Sequence, residues 1–242
     1  MEKTAKVLNC ILTTVVEIFC LIALTILGFL FYDSYLVNKQ ASSTAEVASY
    51  RPQADPETGK MSLAELQAIN PDVVGWVTID GTGLDYPVLQ GDPEFTYLNH
   101  DFEGKSSLTG SLYIGINADR YFHDEYTIIY GHHMAGGLML GCLDYYEDEE
   151  FFYDHTTGEL ITEEGVYEIT VIGFASTDAY ADFYVQSDKA DLIRALDENI
   201  IDLKVGTRKD IESSDKILIF STCSSVGTTA RTILITRLTT KE

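Results

Sequence analysis

The chain has 242 residues, with 38 acidic against 16 basic side chains and a formal net charge of −22 at neutral pH. This length allows one sizeable domain with an appended segment. The large negative excess repels phosphate backbones, and it therefore argues against nucleic-acid binding. Residues 1–40 carry three basic and three acidic side chains, so the whole excess falls on the rest of the chain.

An almost wholly apolar segment over residues 7–32 contains a single charge, Glu17. About 20 apolar residues suffice to cross a bilayer, and no strong small-residue cleavage site follows the segment. The sequence therefore predicts an uncleaved transmembrane signal-anchor over 7–32. Lys3 and Lys6, in the short segment 1–6, favour a cytoplasmic N-terminus with the remainder of the chain outside the cell.

A polar linker is predicted over 33–60, followed by one folded domain over 61–242. The domain opens with the pattern of a capping box, Ser62 and Glu65, ahead of a short helix. Leu63, Leu66 and Ile69 are expected on one side of that helix.

Short apolar runs bounded by Gly, Asp, Asn or Ser then follow one another, as is typical of strands in a sandwich or barrel. They cover 73–79, 84–90, 110–115, 126–130, 158–162, 166–176, 216–222 and 231–238. One helical pattern interrupts them over 188–200, with Ser187 or Asp188 as its N-cap. Its apolar face is formed by Leu192, Ile193, Leu196 and Ile200. The domain is thus predicted to be mainly β with peripheral helices.

Side-chain alternation along the last two runs places polar residues where the runs meet. Cys223 shares a face with Ser221 at the end of one run, and Arg231 opens the next. If the two strands pair through the short connection between them, Cys223 and Arg231 approach each other at one rim of the sheet.

Two cysteines, Cys142 and Cys223, lie outside the apolar segment. A single disulfide is conceivable in an extracytoplasmic domain, but the two residues have very different surroundings. Cys142 is interpreted as a small unreactive hydrophobe. Cys223 is a candidate nucleophile, since a thiol kept free in an oxidising compartment invites that interpretation.

A thiol nucleophile needs a proton-transfer partner, and the sequence offers five histidines. Only His132 and His133 directly follow a strand-like run, with Gly131 at its exit. A histidine after a strand is in general more often a plain surface residue. The occurrence of such a histidine together with Cys223 and Arg231 is what indicates a catalytic site.

In these motifs the chain resembles the class B sortases, the membrane-anchored cysteine transpeptidases of Gram-positive cell surfaces. The resemblance covers about residues 60–240. The Tyr-Gly-His motif stands intact at 130–132, the Thr-Cys pair at 222–223, and the arginine of the last strand at Arg231. The helical pattern over 188–200 lies where class B members carry one.

The resemblance implies a closed eight-stranded sortase-type β-barrel and acyl transfer. Cys223 would attack a sorting-signal threonine carbonyl, His132 would act as general acid and base, and Arg231 would stabilise the oxyanion. Ser221 and Thr222 would line the substrate groove. His133 is left as a neighbour, and neither a metal nor another cofactor is implied.

The implied partners are surface proteins bearing a C-terminal sorting motif and a peptidoglycan amine, with membrane attachment through 7–32. A pilin lysine as the acceptor amine, which would make the protein a pilus polymerase, stays open, as do a hydrolytic cysteine peptidase and a non-enzymatic acidic surface protein. Eight positions separate Cys223 from Arg231, a connection shorter than is usual in the family, which leaves the sorting motif undetermined.

Overall fold

The computed structural model describes residues 2–53, 62–184, 188–223 and 228–241. The chain divides into two compact units, Met1–Ser42 and Ser43–Glu242. The predicted domain boundaries at 6, 32 and 60 remain predictions.

The N-terminal unit is formed by helix α1, which runs over Glu2–Val47 and so continues into the predicted linker. Its segment Lys3–Leu36 is long and apolar enough to cross a membrane, and an 18-residue stretch within it has a mean hydropathy of 2.5. Thr13 and Thr14 donate their hydroxyl protons to the carbonyls of Asn9 and Cys10, at 2.9 and 3.0 Å. These bonds satisfy the two hydroxyl protons within the helix itself.

Within its described residues, the second unit contains nine strands joined into one sheet. They are β1 Val73–Ile79, β2 Leu84–Leu89, β3 Leu112–Ile114, β4 Tyr126–Tyr130, β5 Thr157–Thr162, β6 Gly165–Asp178, β7 Asp202–Gly206, β8 Lys216–Cys223 and β9 Ala230–Thr240. Each of the eight predicted runs corresponds to one of these strands. The unpredicted strand is β7.

The sheet closes on itself as a barrel. Its strand order is β5-β1-β2-β3-β4-β8-β9-β6-β7, and β5 also pairs with β6. The first half of β6 bonds β5 through Gly165–Thr170, whereas Gly173–Ser176 bond β7 on the same edge. The closed ring therefore has eight strands, as predicted, and β7 is attached outside it.

Alternation along the strands separates the barrel interior from two clusters on its outer face, one of which contains Leu66 of the first short helix and Trp76. The barrel interior takes residues from every ring strand, including Val77, Leu160, Phe174, Leu218 and Phe220. The opposite face of β4, β8 and β9 packs against a peripheral helix; its members include Ile128, Ile217, Ile219, Ile233, Leu192 and Leu196. Because Ile217 and Ile219 belong to this outer core, Ser221 and Cys223 lie on the outer face of β8.

In the part of the second unit that the structure describes, three α-helices accompany the barrel: α2 Ala64–Ile69, α3 Glu149–Asp154 and α4 Lys189–Asp197. The predicted capping box of α2 is wrong. The Ser62 hydroxyl accepts from the N–H of Ala64 at 3.2 Å, and Leu63 occupies the N-cap position. Ile69, expected on the buried side, is 42% exposed because it is the last residue of this short helix.

Helix α4 is capped by Asp188, whose side chain accepts from the N–H of Ala190 at 2.8 Å. The other predicted cap, Ser187, lies outside the described residues. The helix ends before the predicted residue 200 because Asn199 adopts a left-handed conformation with φ of 56°. Ile200 is consequently turned partly to solvent, at 39% exposure.

Candidate active site

The antiparallel pairing of β8 with β9 places Cys223 directly opposite Arg231. Such paired residues have Cα atoms about 5 Å apart. Ile233 and Ile235 lie in the outer core, so Arg231 is on the outer face of β9, the face that Cys223 occupies on β8. The backbone register thus brings these two residues together at one end of the sheet, as predicted.

The strand β4 brings His132 to the same end of the sheet. It runs parallel to β8 with Tyr130 opposite Ser221, and the N–H of Gly131 donates to the carbonyl of Ser221 at 3.3 Å. His132 and Cys223 therefore each follow this matched pair by two residues.

Gly131 is required by close packing. A Cβ atom at this position would lie 2.4 Å from the Leu112 side chain and 3.0 Å from that of Leu140. The exit from β4 is therefore pressed against the interior, which fixes the path of the backbone into His132.

The half-buried His132 ring has a defined hydrogen bond. Its Nε2 lies 2.7 Å from the carbonyl oxygen of Leu98, and a carbonyl can only accept, so Nε2 carries the proton. Among the described residues, the ring's Nδ1 has no hydrogen-bond partner. In the neutral ring, Nδ1 is consequently the nitrogen with a free lone pair.

The neighbouring His133 has a different environment. Its Nε2 lies 2.7 Å from Oδ2 of Asp144, which belongs to the 3₁₀ helix Leu140–Glu147. The two side chains are 30% and 50% exposed. This contact connects the loop after β4 to the following 3₁₀ helix. The His133 ring is therefore bonded to that helix and not to a residue of β8.

The guanidinium of Arg231 is half-buried and held by backbone carbonyls. Nη1 donates to the carbonyls of Ala230 and Thr228, at 3.1 and 3.5 Å. Within the described ranges, Arg231 has no carboxylate within 4 Å. Its positive charge is therefore available to a developing negative charge nearby.

A groove of about 320 Å³ lies along the outer face of β4. Its lining includes Tyr126, Ile128 and Tyr130 of β4 and Phe183 and Tyr184 of a short 3₁₀ helix, together with residues of the segments before β4, namely Glu94, Gly115, Asn117, Ala118 and Asp124. Tyr130 precedes His132 by two residues.

Aromatic contacts hold this groove in shape. Tyr130 stacks on Tyr113 at a centroid distance of 5.5 Å and lies 6.3 Å from the Tyr184 ring. The Tyr184 hydroxyl is 2.8 Å from Oγ of Ser221. Burial raises the pKa of Tyr130 well above its usual range, so its hydroxyl stays protonated.

The two predicted substrate-binding residues lie on opposite faces of β8. Ser221 is on the outer face, bonded to Tyr184. Thr222 is on the inner face with Phe220 and is 2% exposed. Among the described residues, its Oγ1 has no hydrogen-bond partner. Only Ser221 is thus placed beside the groove.

Cys142 is a free, fully buried thiol, so no disulfide joins it to Cys223. Burial raises its pKa to about 12, which keeps it protonated at neutral pH. Its Sγ donates to the carbonyl of Met139 at 3.4 Å. Its interpretation as a packed small hydrophobe is consistent with these contacts.

Sequence reasoning missed two contributors to this site, Leu98 and Tyr184. Leu98 acts through its carbonyl, which has no side-chain signature. Tyr184 lies 37 positions from its partner Ser221. The described residues contain no group of three or more His, Cys, Asp or Glu side chains that could hold a metal ion.

No protein-family model matches the chain. It is 28% identical to Sortase B of Staphylococcus aureus over 234 residues, which cover 93% of this chain and 96% of that relative. It is 31% identical to Sortase B of Listeria monocytogenes over 170 residues, which cover 67% of each protein.

The chain is also similar to solved structures of sortase B and of a class B sortase. B. anthracis sortase B in complex with AAEK1 superposes with a TM-score of 0.72 and 25% identity, covering 87% of this chain and 100% of that one. A Staphylococcus aureus sortase B–substrate complex gives 0.67 and 26%, with 87% and 97% covered. A Streptococcus pyogenes class B sortase involved in pilus biogenesis gives 0.64 and 28%, with 74% and 98% covered.

Proposed function

Because the chain belongs to the class B sortases, we propose that it cleaves a C-terminal sorting signal after its threonine and joins the new acyl end to a cell-surface amine. The observation that carries this proposal is the strand register. It places Cys223 opposite Arg231, and places His132 and Cys223 equally far beyond the pair Tyr130–Ser221.

In the first half-reaction, the Cys223 thiolate attacks the threonine carbonyl carbon. Negative charge develops on the carbonyl oxygen, and the Arg231 guanidinium stabilises it. The C–N bond then breaks, and the leaving amine takes a proton from the His132 imidazolium. The products are a thioester on Cys223 and the free C-terminal tail.

In the second half-reaction, an amine attacks the thioester and gives its proton to His132. The Cys223 thiolate leaves, and a new amide is formed. We assign Nδ1 as the nitrogen of His132 that exchanges this proton, since Nε2 is engaged by the Leu98 carbonyl. The positive charge of Arg231 also favours the thiolate over the thiol.

The sorting signal is proposed to lie in the groove along β4, against Tyr130 and Tyr184. Ser221 is retained as a substrate contact because it borders this groove. For Thr222 we propose an indirect role, through the backbone that positions Cys223.

Helix α1 would hold the catalytic domain at the outer surface of the cell membrane, as a single-pass anchor. Its apolar length supports this arrangement. The positive charges before the span favour a cytoplasmic N-terminus.

The test is to incubate the full chain in detergent with a library of fluorescent sorting peptides, followed by mass spectrometry of the intact protein. A thioacyl adduct on Cys223 is expected with at least one peptide, and none with Cys223→Ala. Absence of an adduct with every peptide would contradict the proposal.

The acceptor is identified by adding amines to the same reaction. An oligoglycine or a peptidoglycan-type peptide should give an amide product if the protein anchors its substrates to the cell wall. A lysine-bearing pilin peptide should be preferred if the protein polymerises pilins, as the likeness to the pilus-associated structure allows. Release of free acid at the same rate with and without amines would identify a hydrolase.

A further inference from the structure

The end of β6 lies beside the start of β9. Thr177 pairs with Arg231, and Asp178 pairs with Ala230. The pairing continues one step beyond the strands, where the N–H of Ala179 donates to the carbonyl of Thr229 at 2.8 Å. The segment that precedes Arg231 is therefore attached to the end of β6.

The Asp178 carboxylate makes two hydrogen bonds at this point. Oδ1 accepts from the N–H of Tyr180 at 2.9 Å, and Oδ2 accepts from the hydroxyl of Thr229. The Thr229 bond lowers the pKa of Asp178 below its usual range, with a smaller contribution from the charge of Arg231. Asp178 is therefore ionised at neutral pH, and it holds Thr229 by a charge-assisted bond.

The residues on either side of Thr229 are the ones that hold Arg231. Their carbonyls, those of Thr228 and Ala230, accept from Nη1 of the guanidinium. A displacement of Thr229 would move both acceptors. Asp178 is thus connected to Arg231 through Thr229, while no carboxylate of the described residues pairs with the guanidinium directly.

We propose that Asp178 is a positioning residue for the transpeptidase reaction, holding the Arg231 guanidinium in place through Thr229. This inference rests on the proposed function. The indirect connection has a chemical advantage: a direct ion pair would neutralise the charge that the oxyanion needs, whereas hydrogen bonds to carbonyls fix the guanidinium and leave its charge available.

The kinetic test uses the full chain in detergent, with Asp178→Ala and Thr229→Val as disrupting variants. Misplacement of a catalytic group costs up to about 100-fold in rate, so a loss on the order of 10-fold in kcat is expected, with KM nearly unchanged. Thr229→Ser keeps the hydroxyl and should restore turnover. Asp202→Ala, at an exposed carboxylate that opens β7, is the matched control and should leave kcat unchanged.

A double-mutant cycle separates positioning from a general structural effect. If Asp178 acts through Arg231, Asp178→Ala should cost little further activity in an Arg231→Ala background. Equal losses in both backgrounds would overturn the inference, as would unchanged kcat in Asp178→Ala and Thr229→Val.

A second measurement needs no turnover. The Nε–H resonance of Arg231 in ¹⁵N NMR should report a restricted side chain in the wild type, Thr229→Ser and Asp202→Ala. It should become mobile in Asp178→Ala and Thr229→Val. An equally restricted Arg231 in these two variants would overturn the inference whatever the activity. Absence of thioacyl enzyme in the wild type, with the NMR difference present, would instead contradict only the proposed function.

Discussion

Cys223 and Arg231 are direct partners in the antiparallel ladder of β8 and β9, and both occupy its outer face. No side-chain contact is needed to bring them together, because the barrel's hydrogen bonds fix their separation. His132 reaches the same end through the parallel pairing of β4 with β8. The candidate site therefore lies where strands of the barrel begin and end, with His132 two residues beyond β4. Backbone pairing of this kind favours a reaction that depends on defined geometry.

Replacing Cys223 with Ala should abolish peptide cleavage without unfolding the protein, since a small residue at a strand end contributes little packing. A charged, membrane-impermeant thiol reagent at pH 8 should label Cys223 and spare Cys142, whose pKa burial raises to about 12. Peptide mapping by mass spectrometry measures both. Cleavage by Cys223→Ala above trace level would exclude it as the nucleophile.

The two adjacent histidines should respond very differently to substitution. His132→Ala should remove nearly all turnover. His133→Ala breaks only a partly exposed contact with Asp144, which is worth about 1 kcal/mol or less, so kcat should be nearly unchanged. Steady-state kinetics on the two variants decides this, and the opposite ranking would assign the general acid to His133.

The strands can be predicted from the sequence because those with one face in the barrel interior and the other in an outer core form short, nearly continuous apolar runs. Closure of these strands into an eight-stranded barrel is implied by the family resemblance. The alternation of side chains along β8 and β9 places Cys223 and Arg231 on one face. The strand β7 is not predicted because it lies outside the ring, is short, and buries none of its residues. The Leu98 carbonyl and the Asp178–Thr229 bond are tertiary contacts, and neither follows from any local pattern.

Tyr184→Phe should weaken peptide binding, because it removes the hydroxyl that bonds Ser221 at 2.8 Å beside the groove. We expect KM for the sorting peptide to rise several-fold with kcat nearly constant. Ser221→Ala should have the same effect, and the double variant should be no worse than either single variant. Tyr180→Phe is the control, since Tyr180 is 83% exposed. An unchanged KM in Tyr184→Phe would show that the Tyr184–Ser221 contact does not contribute to peptide binding.

Thr222→Val should stabilise the folded protein. The Thr222 hydroxyl oxygen is buried and unpaired among the described residues, and an unpaired buried polar group costs about 1–3 kcal/mol. Valine has the same shape, so the free energy of unfolding should rise by about 1 kcal/mol. Urea unfolding followed by fluorescence measures it, because Trp76 is the single tryptophan and is fully buried. A stability loss would show that the hydroxyl is bonded in solution.

Arg231→Lys should fail nearly as badly as Arg231→Ala. A guanidinium presents a rigid planar set of donors, whereas an ammonium is a mobile point charge on a flexible stem. Loss of one such donor at an oxyanion typically costs on the order of 10²–10³ in rate. The carbonyls of Ala230 and Thr228 are placed for the guanidinium Nη1, and a lysine cannot match this arrangement while also reaching the oxyanion.

The matched control is Arg237→Lys on the same face of β9. Arg237 lies six residues further along, roughly 20 Å away at about 3.3 Å per residue. Its Nε is 2.9 Å from Oδ1 of Asp215, in the loop before β8. A lysine keeps that charge pair in part, so the variant should lose a little stability and no turnover. If Arg231→Lys instead retains near-normal kcat, Arg231 supplies only diffuse positive charge and its oxyanion role is excluded.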